Sequence, residues 1–166
     1  MTLTSHAVAG AAVASFFPKN PVPAFIFGFM SHFVLDAIPH GHYPLRSHTH
    51  HPENPLTEDM PWGRDLFFDL IKIHADLILG LILSFLLFQK IGSPINWILV
   101  LGAVAGMIPD ALQFAYWKIR REPLTSLQKF HIWAHAEKRF DSKPAIAASI
   151  ELGTIVFFFL LVRLFT

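Results

Sequence analysis

The sequence predicts an all-α, integral membrane helical bundle of about five transmembrane or membrane-embedded helices, built from two repeated helical hairpins plus a C-terminal helix. Three observations carry this expectation. The 166-residue chain is 53% hydrophobic, and its mean hydropathy of +0.46 exceeds that of most soluble domains of that size. Its apolar residues fall in long blocks, at 77–88, 95–108 and 145–162, rather than in the stripe of a surface helix. A weak internal repeat relates the first part of the chain to its middle.

The elements follow in order as apolar segments over 4–17, 24–38, 66–88, 95–117 and 143–164. Pro18, Pro21 and Pro23 break the chain between the first two, and Gly92 and Pro94 between the third and fourth. Both connections are short enough to require antiparallel neighbours. The last three segments exceed the ~20 residues that span a ~30 Å hydrocarbon core and are long enough to cross it. The first two do not, so that hairpin is expected to be short, tilted or re-entrant. We read the whole of 1–166 as a single membrane-embedded domain. Repeat one covers about 4–40, a His- and Pro-rich loop 41–64, repeat two about 66–117, an amphipathic helical segment 127–140 and the C-terminal helix 143–164.

Arg46, Arg64, Lys118, Arg120, Arg121, Lys129, Lys138, Arg139 and Lys143 lie on the loop side, whereas the hairpin tips carry only Lys19 and Lys90. The positive-inside rule therefore places the loops in the cytoplasm of a bacterial or archaeal cell. No basic n-region or small-residue cleavage site marks a removable signal peptide at the N-terminus. Formal charge is +1 with no basic patch interleaved with aromatics, so nucleic acid is not expected as a partner and membrane lipids are. Absence of cysteine removes thiolate chemistry and leaves His, Asp and Glu as metal ligands.

In the repeat, His6 to Gly10 lies over Asp76 to Gly80, and Gly28 to Asp36 over Gly102 to Asp110. His6 thus pairs with Asp76, and Asp36 with Asp110. Each stands about 12–16 residues from its hairpin tip, or roughly 18–24 Å at ~1.5 Å per residue. A common level near the cytoplasmic boundary is expected for all four.

Aspartates are expensive within membrane helices, about 2.5–3.5 kcal/mol at the centre and less near the ends. Asp36, Asp76 and Asp110 are therefore the catalytic candidates, against the alternative that each merely caps or hydrogen-bonds a helix end. His32, Asp36 and His40 share one helical face at i, i+4 and i+8, although Pro39 interrupts the last turn. His131 and His135 repeat the i, i+4 spacing that lets two imidazoles hold one ion, as a plain surface pair would also do. His6 reads either as a ligand or as a hydrogen-bonded interface residue. His74 is turned roughly 200° from Asp76 and cannot share an ion with it, while Asp69 is a supporting or secondary ligand. His48, His50 and His51, with His42 nearby, form a His-rich loop that we do not expect to be the centre. Gly102 and Gly106 form a G-x-x-x-G that implies close helix packing. Phe157 to Phe159 reads as lipid-facing bulk, and Trp62, Trp97, Trp117 and Trp133 suit an interfacial belt.

The segment ending Gly106-Met-Ile-Pro-Asp110, the later His131 and His135, the Gly28-Phe-Met-Ser-His32 run leading to Asp36, and the early His6 together resemble the membrane-bound metal-dependent hydrolases. These inner-membrane proteins are often compared with bacterial zinc-dependent phospholipase C. The resemblance implies that Asp110, His131, His135, His32 and Asp36 ligate metal, with His6 matching an early histidine. Two features depart from the family pattern. The usual H-R-G-x-T-H-S segment is replaced by His131-Ile-Trp-Ala-His135, and the S-H-x-x-x-D segment precedes the P-D segment. The ligand set His6, His32, His40, His131, His135, Asp36, Asp76 and Asp110 exceeds what one tetrahedral ion needs, so one or two divalent ions are expected, zinc first and Mn²⁺ or Fe²⁺ next. The implied activity is hydrolysis of a phosphoester or ester in a lipid or lipid-linked substrate. A metal-ion transporter and a non-catalytic membrane scaffold are the alternatives. Transport is opposed by the tip halves of the helices, which contain almost no polar residues.

Overall fold

The structure, a computed structural model, describes residues 1–165 and is all-helical. Six α-helices follow in order: α1 (Leu3–Ser15), α2 (Pro21–Asp36), α3 (Arg64–Phe88), α4 (Trp97–Ile119), α5 (Leu124–Ala134) and α6 (Pro144–Phe165), with a single 3₁₀ turn at Pro55–Thr57. Five correspond to the expected apolar segments. The sixth, α5, is the amphipathic segment, which begins and ends earlier than 127–140 and leaves His135 as its C-cap.

Local chemistry sets the helix starts. The side chains of Thr2, Asn20 and Asn96 accept from the backbone of Ser5, Val22 and Ile98, and Pro21 supplies a pre-set first turn for α2. α3, α4 and α6, at 25, 23 and 22 residues, are long and apolar enough to cross a membrane. Their outward residues include Ile78, Leu79, Ile82, Leu86, Leu152, Phe157 and Leu160, all exposed, a surface that belongs in lipid rather than water.

The shortness of the first hairpin has a packing explanation. α1 is only 13 residues long because it is the core of the bundle, in contact with α2, α3, α4 and α6. Ala7, Ala9, Ala11, Ala12 and Ala14 are fully buried, as expected of a helix apolar on every face. Small residues let the backbones touch. A Cβ on Gly10 would overlap the carbonyl oxygen of Gly102, and one on Gly106 would overlap that of His6. The G-x-x-x-G of α4 is thus the seat of α1.

The loop between α2 and α3 is tied down. Tyr116 Oη donates to the Leu56 carbonyl at 3.0 Å. Lys118 Nζ reaches Asp59 Oδ1 at 2.7 Å and the Met60 carbonyl. The amide and hydroxyl of Ser47 both donate to Asp69 Oδ2, at 2.7 and 2.8 Å. Met60, Leu66, Tyr116 and Trp117 form a buried cluster beneath it. The loop therefore caps the end of the bundle where α1 begins and α2 ends.

Candidate metal centre

That end of the bundle gathers the polar residues. α1 contributes His6 from its first turns, α2 contributes His32 and Asp36 one helical turn apart, α4 contributes Asp110 just after Pro109, and α5 contributes His131. Asp36 lies at the middle. One oxygen, Oδ2, is 3.1 Å from His32 Nε2 and 3.0 Å from His131 Nε2. The other, Oδ1, is 3.2 Å from His6 Nε2, 3.6 Å from His40 Nε2 and 3.2 Å from the Met1 amine. His32 Nε2 also faces His131 Nε2 at 3.1 Å and Asp110 Oδ1 at 3.7 Å. His6, His32, Asp36 and His131 are buried, and the Asp110 side chain is 31% exposed.

The hydrogen-bond pattern fixes which nitrogens are free. His32 Nδ1 stands 2.9 Å from the Gly106 carbonyl, an acceptor, so Nδ1 carries a proton, and Nε2 presents a lone pair whenever the ring is neutral. That lone pair looks at carboxylate oxygens of both Asp36 and Asp110. Acceptors facing acceptors in a buried site are unfavourable unless a cation stands between them. A proton on Nε2 would serve one such pair, whereas a metal ion serves the whole set. His6 points the same way, since neither ring nitrogen has a hydrogen-bond partner although Nε2 lies 3.2 Å from Asp36 Oδ1.

Spacing agrees with metal binding. Metal–ligand bonds of ~2.0–2.2 Å imply ligand–ligand separations of about 3.3–3.6 Å at tetrahedral angles, close to the observed 3.0–3.7 Å. Two overlapping triads, His6, His32 and Asp36, and His32, Asp110 and His131, each bring one donor atom per residue within 4.8 Å of the others. His32 is common to both. These buried groups are positioned to hold a metal ion, and an imidazole oriented by a backbone carbonyl is the usual support for a ligand.

A third triad is composed of His40, His42 and His135. His40 and His135, expected among one ligand set, thus stand together with His42, beside the inner group rather than within either of its triads. These three lie outside the spanning helices. Burial lowers the His40 imidazole to about 4 and, with neighbouring positive charge, His42 to about 3. His135 is also lowered by burial. All three are neutral near pH 7.

Asp76, expected at the centre, has another occupation. Its carboxylate accepts from the Leu3 amide at 2.7 Å, the Thr4 amide at 3.2 Å and the Thr4 hydroxyl at 2.6 Å. The repeat places it at the level of the site but on the N-terminus of α1, in none of the three triads. Glu151 of α6 shares this duty, accepting from the Thr2 amide and hydroxyl and from Ser5 Oγ. The His-rich loop is also occupied elsewhere, His48 and His50 reaching Glu58 at 3.3 and 2.6 Å. Asp69 anchors that loop and touches no triad. His74 bonds its own helix at the Leu70 carbonyl.

Sequence reasoning grouped His42 with the His-rich loop and set it aside, and it missed Asp141 and Glu151. His42 carried a usable signal, because His40-Gly-His42 immediately follows the proline that ends α2. Asp141 and Glu151 carried none, since their partners are more than 90 residues away in the chain.

Beside α3 an open groove of about 520 Å³ is lined by Tyr43, Pro44, Lys72, Ala75, Asp76 and Leu79. In comparisons with known proteins, the chain matches no family model, no curated protein and no solved structure.

Proposed function

We propose that the protein is a membrane-bound metal-dependent hydrolase whose centre is formed by His6, His32, Asp36, Asp110 and His131. One observation carries this reading. The buried carboxylate of Asp36 and the lone pair of His32 converge, with two further imidazoles and a second carboxylate, at spacings that a single proton cannot satisfy. Zinc is the first choice for such a mixed nitrogen and oxygen set, followed by Mn²⁺ or Fe²⁺. When bound, one or two such ions supply a Lewis acid and a water of lowered pKa.

The chain's own residues take distinct parts. His32 is held by the Gly106 carbonyl, and Asp36 fixes the relative position of three helices. Asp110 is the carboxylate open to solvent, so it is the group placed to receive a proton from the attacking water. A lipid or lipid-linked ester or phosphoester is supported by the site's place at the ends of apolar helices. The open groove beside α3 adds to this, combining apolar Ala75 and Leu79 with the Lys72 ammonium. By the distribution of Lys and Arg, the site faces the cytoplasm. The resemblance of the Asp36 and Asp110 segments to membrane-bound metal-dependent hydrolases points the same way.

The test is hydrolysis of phosphodiester and ester lipids in mixed micelles by purified protein, with and without chelator and zinc add-back. Metal-dependent turnover that is lost in Asp110→Asn supports the proposal. Turnover insensitive to chelator, or no turnover on any ester or phosphoester lipid by metal-loaded protein, would refute it. Absence of metal from the wild type together with native folding of Asp36→Asn would favour the scaffold, in which the polar cluster only locks helices.

A further inference from the structure

The inner centre leaves a second set of imidazoles unexplained. His40 and His42 follow the end of α2, and His135 caps the end of α5. Backbone bonds hold these two strips of chain together: the Ala136 amide donates to the Asp36 carbonyl at 2.8 Å and the Phe140 amide to the His40 carbonyl at 2.9 Å. The His42 amide donates to Asp141 Oδ1 at 2.8 Å. A Cβ on Gly41 would press on Ala147 and the Phe140 carbonyl, so the strips meet without room for slack.

Each ring is oriented through the same nitrogen. His40 Nδ1 lies 2.6 Å from the Ile38 carbonyl, His42 Nδ1 3.3 Å from Asp141 Oδ1 and His135 Nδ1 3.2 Å from the Ala136 carbonyl. All three partners are acceptors, so each Nδ1 is the donor and each Nε2 of a neutral ring is a bare lone pair. Even so, His40 Nε2 and His42 Nε2 stand 3.2 Å apart. Two lone pairs at that distance repel unless a cation lies between them. The rings of His40 and His42 are both about 5 Å from that of His135, at 4.7 and 5.2 Å between centroids.

We propose that His40, His42 and His135 form a second, separately loaded site for a divalent transition metal, with Asp141 as the residue that positions His42. Three imidazoles, each with its other nitrogen tied to a carbonyl or carboxylate, match the supported ligand sets of zinc sites and leave a fourth coordination position. The His42 side is 36% exposed, so the fourth position is open to water. The ligand set contains no carboxylate, which selects Zn²⁺, Co²⁺, Ni²⁺ or Cu²⁺ over Mg²⁺, Ca²⁺ and Mn²⁺. The inner centre, with two carboxylates, does not select so sharply. The sites are neighbours, His40 Nε2 being 3.6 Å from Asp36 Oδ1, yet they share no member of their triads.

The test is titration of chelator-stripped, detergent-solubilised full-length protein with Co²⁺, read by its visible d–d absorption and by elemental analysis after desalting. The wild type is expected to bind one equivalent more than His42→Ala. Asp141→Asn should retain that equivalent with affinity reduced on the order of 10- to 100-fold. His131→Ala, which alters the inner centre, should keep the equivalent that His42→Ala loses. Far-UV circular dichroism establishes folding, and His42→Gln replaces His42→Ala if the latter unfolds. Identical titrations of wild type and the folded His42 variant would overturn the proposal. So would loss of the outer equivalent in His131→Ala, which would make the three histidines an arm of one centre. Neither result depends on whether any substrate is hydrolysed.

Discussion

Replacing Asp76 by alanine should destabilise the bundle and spare its metal. The first four amides of a helix lack intrahelical partners, and α1 satisfies all of its own. The Thr2 amide donates to Glu151 Oε1 at 3.1 Å, the Leu3 and Thr4 amides to Asp76, and the Ser5 amide to Thr2 Oγ1 at 3.3 Å. Asp76→Ala removes the acceptor for two of the four, and the Thr4 hydroxyl loses one of its bonds. Leu3 and Thr4 are buried, and each buried donor left without a partner costs ~1–3 kcal/mol. Loss of a cap from an isolated helix costs only ~0.5–2 kcal/mol. We therefore expect a destabilisation of about 2–4 kcal/mol, and roughly half that for Asp76→Asn, which keeps one acceptor. Unfolding by a denaturing detergent, followed by far-UV circular dichroism, measures it, with elemental analysis on the same samples. A metal ion lost from Asp76→Ala with stability changed by less than ~0.5 kcal/mol would refute the capping role and make Asp76 a ligand.

Three further outcomes are expected. Gly106→Ala gains ~1 kcal/mol of helix propensity but drives a methyl into the His6 carbonyl; since backbone cannot yield, net destabilisation of about 1–3 kcal/mol and weaker metal retention should appear in the same two assays. The cap loop should loosen in acid through Glu58. Burial raises its carboxyl, and hydrogen bonds from His48, His50 and the His51 amide outweigh that, so the folded group lies below the ordinary value of 4.5. Its stabilisation is present above 4.5 and is lost as pH falls through the lower folded value, which hydrogen exchange at the 48–58 amides would detect. Lys118→Met should free the same loop at neutral pH by removing the ties to Asp59 and the Met60 carbonyl, and unchanged exchange would contradict this.

The helices were legible in the sequence because lipid imposes long apolar blocks and turns announce themselves through Pro and Gly. The repeat was informative beyond its length. Its glycines mark the crossings where α1 meets α4 and α3, and three of its four polar residues, His6, Asp36 and Asp110, meet at one site. The fourth did not, because register along a helix fixes depth but not azimuth or neighbour. Asp76 sits at the right level beside a helix end whose amides compete for it. The i, i+4 spacing of His131 and His135 implied one helix face and one ion, but α5 ends at Ala134, so the extended His135 stands with His40 and His42 instead. That α1 is an enclosed core helix explains why 13 residues suffice, a point that span length alone did not suggest.

The central claim is that the inner cluster exists to hold metal. Elemental analysis of protein purified at neutral pH without chelator, wild type beside Asp36→Ala, tests it most directly. The account predicts about one or two divalent ions in the inner cluster, retained in wild type and lost in the folded variant. Wild-type protein without stoichiometric metal, or a folded variant that holds as many ions as wild type, would contradict it.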